Sequence, residues 1–296
     1  MSRSHERTAL LQIHFCVVLW GFTAILGKLI SLPALELVWW RMLAVVLVLL
    51  AWPPLWRELR ATPSRTLLVF AGIGTLIALH WLTFYGAIKL ANASVAASCM
   101  ALGPLFLAVI EPRIVDRPFD ARELLVGLVA LPGVALVVGG TPAGMHLGLA
   151  VGVLSALLVA ILGALNKRYV EHGGPLLITG VQLGAGTAFL TLVAFAWQGQ
   201  APWSTVPGPR DAWLLAALSL GCTLLPYALS LKALRHTSAF TTHLAVSLEP
   251  VYAILLAILL LGEQRDLAPS FYLGVALILA AVLAHTWIRL RATARR

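Results

Sequence analysis

Charged side chains are scarce in this sequence, 11% of 296 residues, against roughly 25% in an average soluble domain. The shortage excludes a water-soluble fold, because an aqueous protein must cover its core with a polar shell. Cysteine is sparse too. Cys16, Cys99 and Cys222 all sit inside apolar runs, with no CxxC and no spaced Cys/His set, so neither a disulfide framework nor a metal site is indicated. Enzyme signatures are missing: the chain has no HExxH, no GxSxG, no P-loop and no pair of intramembrane aspartates, which leaves protease and ATPase chemistry without support. The expectation is a protein that is not an enzyme and takes no cofactor.

What the chain does have is apolar length: 60% of residues are hydrophobic and the mean hydropathy is +0.92. A net charge of +9 would suit nucleic acid only if basic residues clustered on one folded face among aromatics. Here they lie in short gaps between apolar runs, so membrane lipid is the expected partner and nucleic acid is not. Crossing a ~30 Å hydrocarbon core takes ~20 apolar residues in a helix, with every backbone group bonded internally. Ten segments meet that length, near 10–30, 34–53, 66–88, 92–111, 121–139, 147–166, 175–197, 212–232, 238–261 and 268–288. The first is longer than the apolar core of a signal peptide and is expected to stay. With the N-terminus inside, 16 of the 21 Lys and Arg residues fall on cytoplasmic segments, four outside, and Arg41 within a span, so the positive-inside tendency places both termini in the cytoplasm of a bacterial-type inner membrane.

The two halves of the chain repeat one another. Ala24-Ile25-Leu26-Gly27 recurs as Ala160-Ile161-Leu162-Gly163, and the stretch from Tyr85 through Lys89 and Ser94 to Leu102-Gly103-Pro104 recurs from Tyr227 through Lys232 and Ser238 to Leu248-Glu249-Pro250. Five spans per copy is an odd number, so the second copy must be inverted. The expected fold is an all-α polytopic membrane protein of ten transmembrane helices, as two inverted five-helix repeats over 1–140 and 141–296. Inverted repeats typify alternating-access transporters, whose site lies near midplane where the halves meet.

These landmarks resemble the drug/metabolite transporter superfamily, specifically its EamA type with two tandem five-helix copies. The matching pieces are Leu19-Trp20-Gly21 with Lys28, Trp40-Arg41, Ala87-Ile88-Lys89 through Pro104, and Leu248-Glu249-Pro250 through Leu261-Gly262-Glu263 and Gly274. The resemblance implies ATP-independent export of small metabolites, often amino acids, without fixing the cargo. The copies are not equivalent: where the second has Leu261-Gly262-Glu263 the first has Val115-Asp116-Arg117, and Gln182 stands opposite Arg41.

Ionisable groups deep in a bilayer are costly unless they face a polar cavity or a partner. Arg41 suits a substrate carboxylate through its planar fork of donors; alternatively it reaches the headgroups or pairs with Glu36 or Glu249. Glu249 sits mid-span beside Pro250, whose missing N–H opens the helix locally, and is either a site carboxylate or a structural one. At helical spacing Ser238, Thr242, Ala245, Glu249 and Tyr252 form one small and polar stripe. Gly103-Pro104 is the counterpart kink, beside Ser94 and Ser98, so Gly103, Pro104 and Pro250 are candidate hinges, or bends that only shape packing. His80 and His243 could titrate in a proton-coupled cycle, or be neutral core histidines. Trp20, Trp81, Tyr85 and Tyr227 could form a flat wall for an apolar substrate, whereas Trp39, Trp52, Trp56, Trp197, Trp203, Trp213 and Trp287 at span ends suit the interfacial aromatic belt. The rival reading is a membrane sensor or lipid-interacting scaffold that transports nothing. It is disfavoured by the lack of any loop beyond about fifteen residues. Composition leaves the oligomeric state open.

Overall fold

The computed structural model describes residues 3–116, 118–119, 132–237, 242, 245–246 and 248–294, with side chains described from residue 8 and, beyond residue 281, only at 284. The elements are α1 (Arg3–Leu29), α2 (Ala34–Leu50), α3 (Pro53–Ala61), α4 (Ser64–Leu90), α5 (Ala93–Met100), α6 (Gly103–Ile114), α7 (132–140), α8 (His146–Tyr169), α9 (Pro175–Gln198), α10 (Pro209–Leu234), α11 (Glu249–Leu261) and α12 (Pro269–Ala294). Among the described residues, six helical spans are long and apolar enough to cross a membrane, α2 and α3 make a seventh if their bent pair is one span, and the described parts of the last two are shorter apolar helices. The expected span at 121–139 lies mostly outside the described residues.

Proline and glycine set the boundaries. Pro53, Pro175 and Pro209 begin α3, α9 and α10, where the missing N–H is one that no helix would use. Gly199 (φ 68°) ends α9 and Gly262 (φ 70°) follows α11, both in the left-handed region that a side chain disfavours. At Trp52-Pro53-Pro54 the chain turns by 91°, so α3 leaves the direction of α2.

Both expected kinks are real breaks with one pattern. Leu102 donates its N–H to the Cys99 carbonyl and accepts from Leu105 and Phe106. Leu248 likewise donates to Ala245 and accepts from Val251 and Tyr252. In each case three-residue bonds tighten the turn ahead of a proline, Pro104 or Pro250, at the second position of the new helix.

Loop contacts sort the ends of the helices onto two faces. On one, Ser31 bonds the Asp211 carboxylate, Lys89 Nζ the Ile30 carbonyl, Ala93 and Ser94 the Glu263 carboxylate, and Ala268 N–H the Gly140 carbonyl. On the other, where α1 begins, Gly174 N–H meets Glu58, Lys167 Nζ meets the Leu234 and Thr237 carbonyls, and Arg235 those of Val170 and Gly173. The latter is the N-terminal face. α1 starts there while α8 starts on the opposite face, as inversion requires, and α12 runs back toward the N-terminal face.

Side chains such as Leu68, Leu192 and Leu259 are 69–78% exposed on the outside, which suits lipid and not water. Inside, α4 packs against both α8 and α9. Gly74 makes the second contact possible, since a methyl group there would overlap the Gln182 carbonyl. Gly148 and Gly152 pack within the chain against Ala91 and Cys99, while among the described residues nothing approaches Gly184. Of the tryptophans assigned to the aromatic belt, Trp197 and Trp213 are 87% and 81% exposed. Trp39 differs: it is buried, and its indole N–H donates to Thr191 (2.8 Å).

Candidate functional site

A cavity of about 150 Å³ opens between the halves, walled by α1, α2 and α4 on one side and by α8, α10 and the approach to α11 on the other. That is many times the space one water needs, and it suits a solute of metabolite size. It runs from mid-depth, at Arg41 and Trp81, to the last turns of α8 and α10 at Asn166 and Leu234. The cavity therefore leans toward the N-terminal face, away from the Glu263 and Asp211 contacts.

Arg41 is its most constrained charge. Placed by the middle of α2 and buried, it donates from Nε to Thr223 Oγ1 (2.7 Å) and from Nη1 to the Tyr85 hydroxyl (2.6 Å). The guanidinium carbon lies 3.8 Å from the centre of the Trp81 ring, a cation–π geometry. Nη2 makes no hydrogen bond among the described residues, which leaves its two donors to the cavity. Thr223 in turn donates to the Leu218 carbonyl, five residues back (2.6 Å), inside the π-helical turn Ala217–Leu224 of α10. Such wide turns are rare and recur at functional sites.

The corresponding place in the second half is neutral and closed. Tyr227 aligns with Tyr85 and Gln182 stands opposite Arg41. The Tyr227 hydroxyl donates to Gln182 Oε1 (2.6 Å), Gln182 Nε2 donates to Asn166 Oδ1 (2.8 Å), and Asn166 Nδ2 donates to the Tyr227 oxygen (3.0 Å). Each member satisfies the next in a buried ring joining α8, α9 and α10. At these matching places the guanidinium therefore comes from the first half only.

Glu249 lines the cavity as the first residue of α11, where the helix dipole favours a carboxylate. Among the described residues it forms neither a hydrogen bond nor a salt bridge, so Arg41 and Glu249 both face one cavity without contacting each other. His80 sits in the α4 wall with Nδ1 between the Ser155 hydroxyl (2.8 Å) and carbonyl (3.0 Å), and Ser155 Oγ donates to the His80 carbonyl (2.9 Å). The imidazole is tied to α8.

The structure gathers Trp20, Arg41, His80, Trp81, Tyr227, Thr242 and Glu249 around the cavity. Three other residues expected there stand elsewhere. Tyr85 is fully buried behind Arg41; Ser98 is buried and donates to the Val95 carbonyl of its own helix (2.8 Å); Tyr252 is 38% exposed, with its Cβ against Gly21 at the seam with α1. The lining residues ahead of and at this break are Thr242, Val246 and Glu249, and neither Ala245 nor Tyr252 is among them. His243, like Ser238, lies outside the described residues. Gly103, Pro104 and Pro250 are at the helix breaks. Glu36 is buried without pairing to Arg41 among the described residues. Sequence reasoning missed Thr223 and Asn166, although the repeat carries a signal for Thr223: it precedes Tyr227 by four residues, as Trp81 precedes Tyr85.

Comparison with known proteins adds an independent line. The sequence model of the EamA-like transporter family matches residues 7–139 and again 146–287. An uncharacterized transporter of Pseudomonas aeruginosa is 29% identical, covering 93% of this chain and 92% of its own. The threonine/homoserine exporter RhtA of Escherichia coli is 28% identical over 81% of this chain and 77% of its own. A solved crystal structure superposes with a TM-score of 0.66 at 18% identity, over 98% of this chain and 99% of that one, a likeness of fold alone.

Proposed function

This chain belongs to the EamA-like transporter family and is a multi-pass membrane transporter with a small-molecule substrate; from that premise we propose that it is an ATP-independent secondary transporter exporting small metabolites such as amino acids by alternating access. The observation that carries this reading is that Arg41 and Glu249, which make no hydrogen bond or salt bridge to each other among the described residues, line one cavity between the halves. Arg41 Nη2 offers two donors to a carboxylate, and Glu249 offers an acceptor to an ammonium group. A zwitterion would satisfy both, whereas either charge left alone in lipid is costly. The cargo named for RhtA has this chemistry.

Trp20, Trp81 and Tyr227 give the cavity its flat walls and His80 a polar one. Tyr85, behind Arg41, supports the guanidinium. The breaks at Gly103-Pro104 and Glu249-Pro250 are the hinges in this reading, because each lacks a backbone bond and can bend at low cost. The 16-to-4 distribution of basic residues favours cytoplasmic termini, which makes the N-terminal face the cytoplasmic one.

The test is flux in proteoliposomes loaded with L-threonine, L-phenylalanine and their decarboxylated amines. Arg41→Gln is expected to lower efflux of the two acids at least tenfold relative to the parent protein, the scale of a lost charged hydrogen bond, and Glu249→Gln to lower efflux of all four solutes. Unchanged flux in both variants at equal expression would remove the cavity from the transport path. A sensor or scaffold would show no solute-dependent flux at all.

A further inference from the structure

Resting on the cavity reading above, we propose that Thr223 is the positioning residue that aims Arg41, and that its place in the opposite half makes the grip on an anionic group depend on how the two halves stand. Tyr85 and Trp81, both on α4, hold the guanidinium from its own half: one fixes Nη1 and the other the ring face. Together they still let the planar group swing about its contact with Tyr85. The third support, at Nε, comes from Thr223 on α10. Because a guanidinium is rigid, fixing Nε and Nη1 together also fixes where the free Nη2 points.

The threonine is itself oriented. Its proton is committed to the Leu218 carbonyl (2.6 Å), so a lone pair is what it turns to Arg41. The acceptor lies five residues back, within the π-helical turn Ala217–Leu224. At the aligned position the first half carries Trp81, an aromatic without this ability, so the hydroxyl stands only on the side that meets the other half's arginine. A shift of α10 against α2 by 1–2 Å, ordinary for packed helices in a switching protein, would break a 2.7 Å bond. Rocking of the halves would then release Nε, let the guanidinium swing, and lower affinity for the anion at the stage where release is needed.

The experiment is transport kinetics of Thr223→Val, Thr223→Ser and Arg41→Gln in proteoliposomes, with L-threonine and L-phenylalanine against 1-amino-2-propanol and 2-phenylethylamine, which lack the carboxylate. Thr223→Val keeps the shape and loses the hydroxyl. It is expected to raise KM for the two acids roughly tenfold, as for one charged hydrogen bond, with Vmax unchanged, KM for the amines unchanged, and recovery in Thr223→Ser. An acid KM equal to that of the parent protein, an equal shift for acids and amines, or a fall in Vmax at constant KM each overturns the assignment. If Arg41→Gln raises the acid KM and Thr223→Val does not, positioning fails while the cavity reading stands. If Arg41→Gln has no effect, or the parent protein carries none of the four solutes, the cavity reading fails and this inference goes with it.

Discussion

At the scale of the residue, the site contrasts an arginine that faces the cavity with a neutral hydrogen-bonded ring. Asn166, Gln182 and Tyr227 each donate one hydrogen bond to the next, so removing the tyrosine oxygen strands two partners. Tyr227→Phe deprives Gln182 Oε1 of its donor and Asn166 Nδ2 of its acceptor. The expected cost is about 1–3 kcal/mol, read as a lower unfolding temperature of the detergent-solubilised protein, and an unchanged melting curve would show that the ring contributes nothing. Arg41 and Glu249 were legible in the sequence because a formal charge in an apolar run has few cheap explanations. Thr223 was not, because hydroxyls are common in membrane helices and usually bond back along their own helix. Thr83, Thr179, Thr187 and Thr191 all donate to the carbonyl four residues before them. Thr223 instead donates five residues back, inside a π-helical turn that no apolar pattern announces, and accepts from Arg41.

At the scale of the element, the described spans and breaks followed from length, hydropathy and proline, with edges that differ by a few residues. The expected span at 34–53 ends at Leu50, because Pro53 and Pro54 start a new helix across a 91° bend. What the sequence carried only as a motif difference is the fastening of α5. Glu263, just past the left-handed Gly262, accepts from Ala93 N (3.0 Å), Ser94 N (2.8 Å) and Ser94 Oγ (2.7 Å), while the Asn92 side chain accepts from Val95 N (2.9 Å). A carboxylate on the first turn satisfies both the free N–H groups and the helix dipole. The first copy keeps the backbone bend, with Asp116 at φ 52°, but carries Arg117 where the carboxylate would be. Glu263→Ala is therefore expected to loosen the start of α5 selectively. Hydrogen exchange of the peptide spanning 91–100 should quicken by a factor of ten or more, given about 1.5–3 kcal/mol per charged hydrogen bond, with α9 unaffected. Equal protection in the variant would mean that α5 is held by its packing alone.

At the scale of the whole molecule, inversion was legible from an odd number of spans per copy, but the side to which the cavity leans was not. That depends on the mutual tilt of the halves, a difference of a few ångströms that leaves the apolar pattern of every helix unchanged. The contacts supply it. Asp211, Lys89 and Glu263 tie loops together on the face away from the cavity, and Ser230 lines the cavity near its other end. Eleven residues earlier on α10, Ser219 is fully buried toward the tied face. Alternating access requires a solute path open to one side at a time, so this arrangement should react with an impermeant thiol reagent from one side only. In a background with Cys16, Cys99 and Cys222 replaced by alanine, Ser230→Cys should label from the N-terminal face and not from the other, and Ser219→Cys from neither, when vesicles of known orientation are compared. Adding Glu263→Ala and Asp211→Ala removes two of the ties, and Ser219→Cys should then begin to label from the far side. Labelling of Ser219→Cys from that side with the ties intact would show that they do not seal it. Equal labelling of Ser230→Cys from both sides would mean that the cavity is a pore rather than an alternating site.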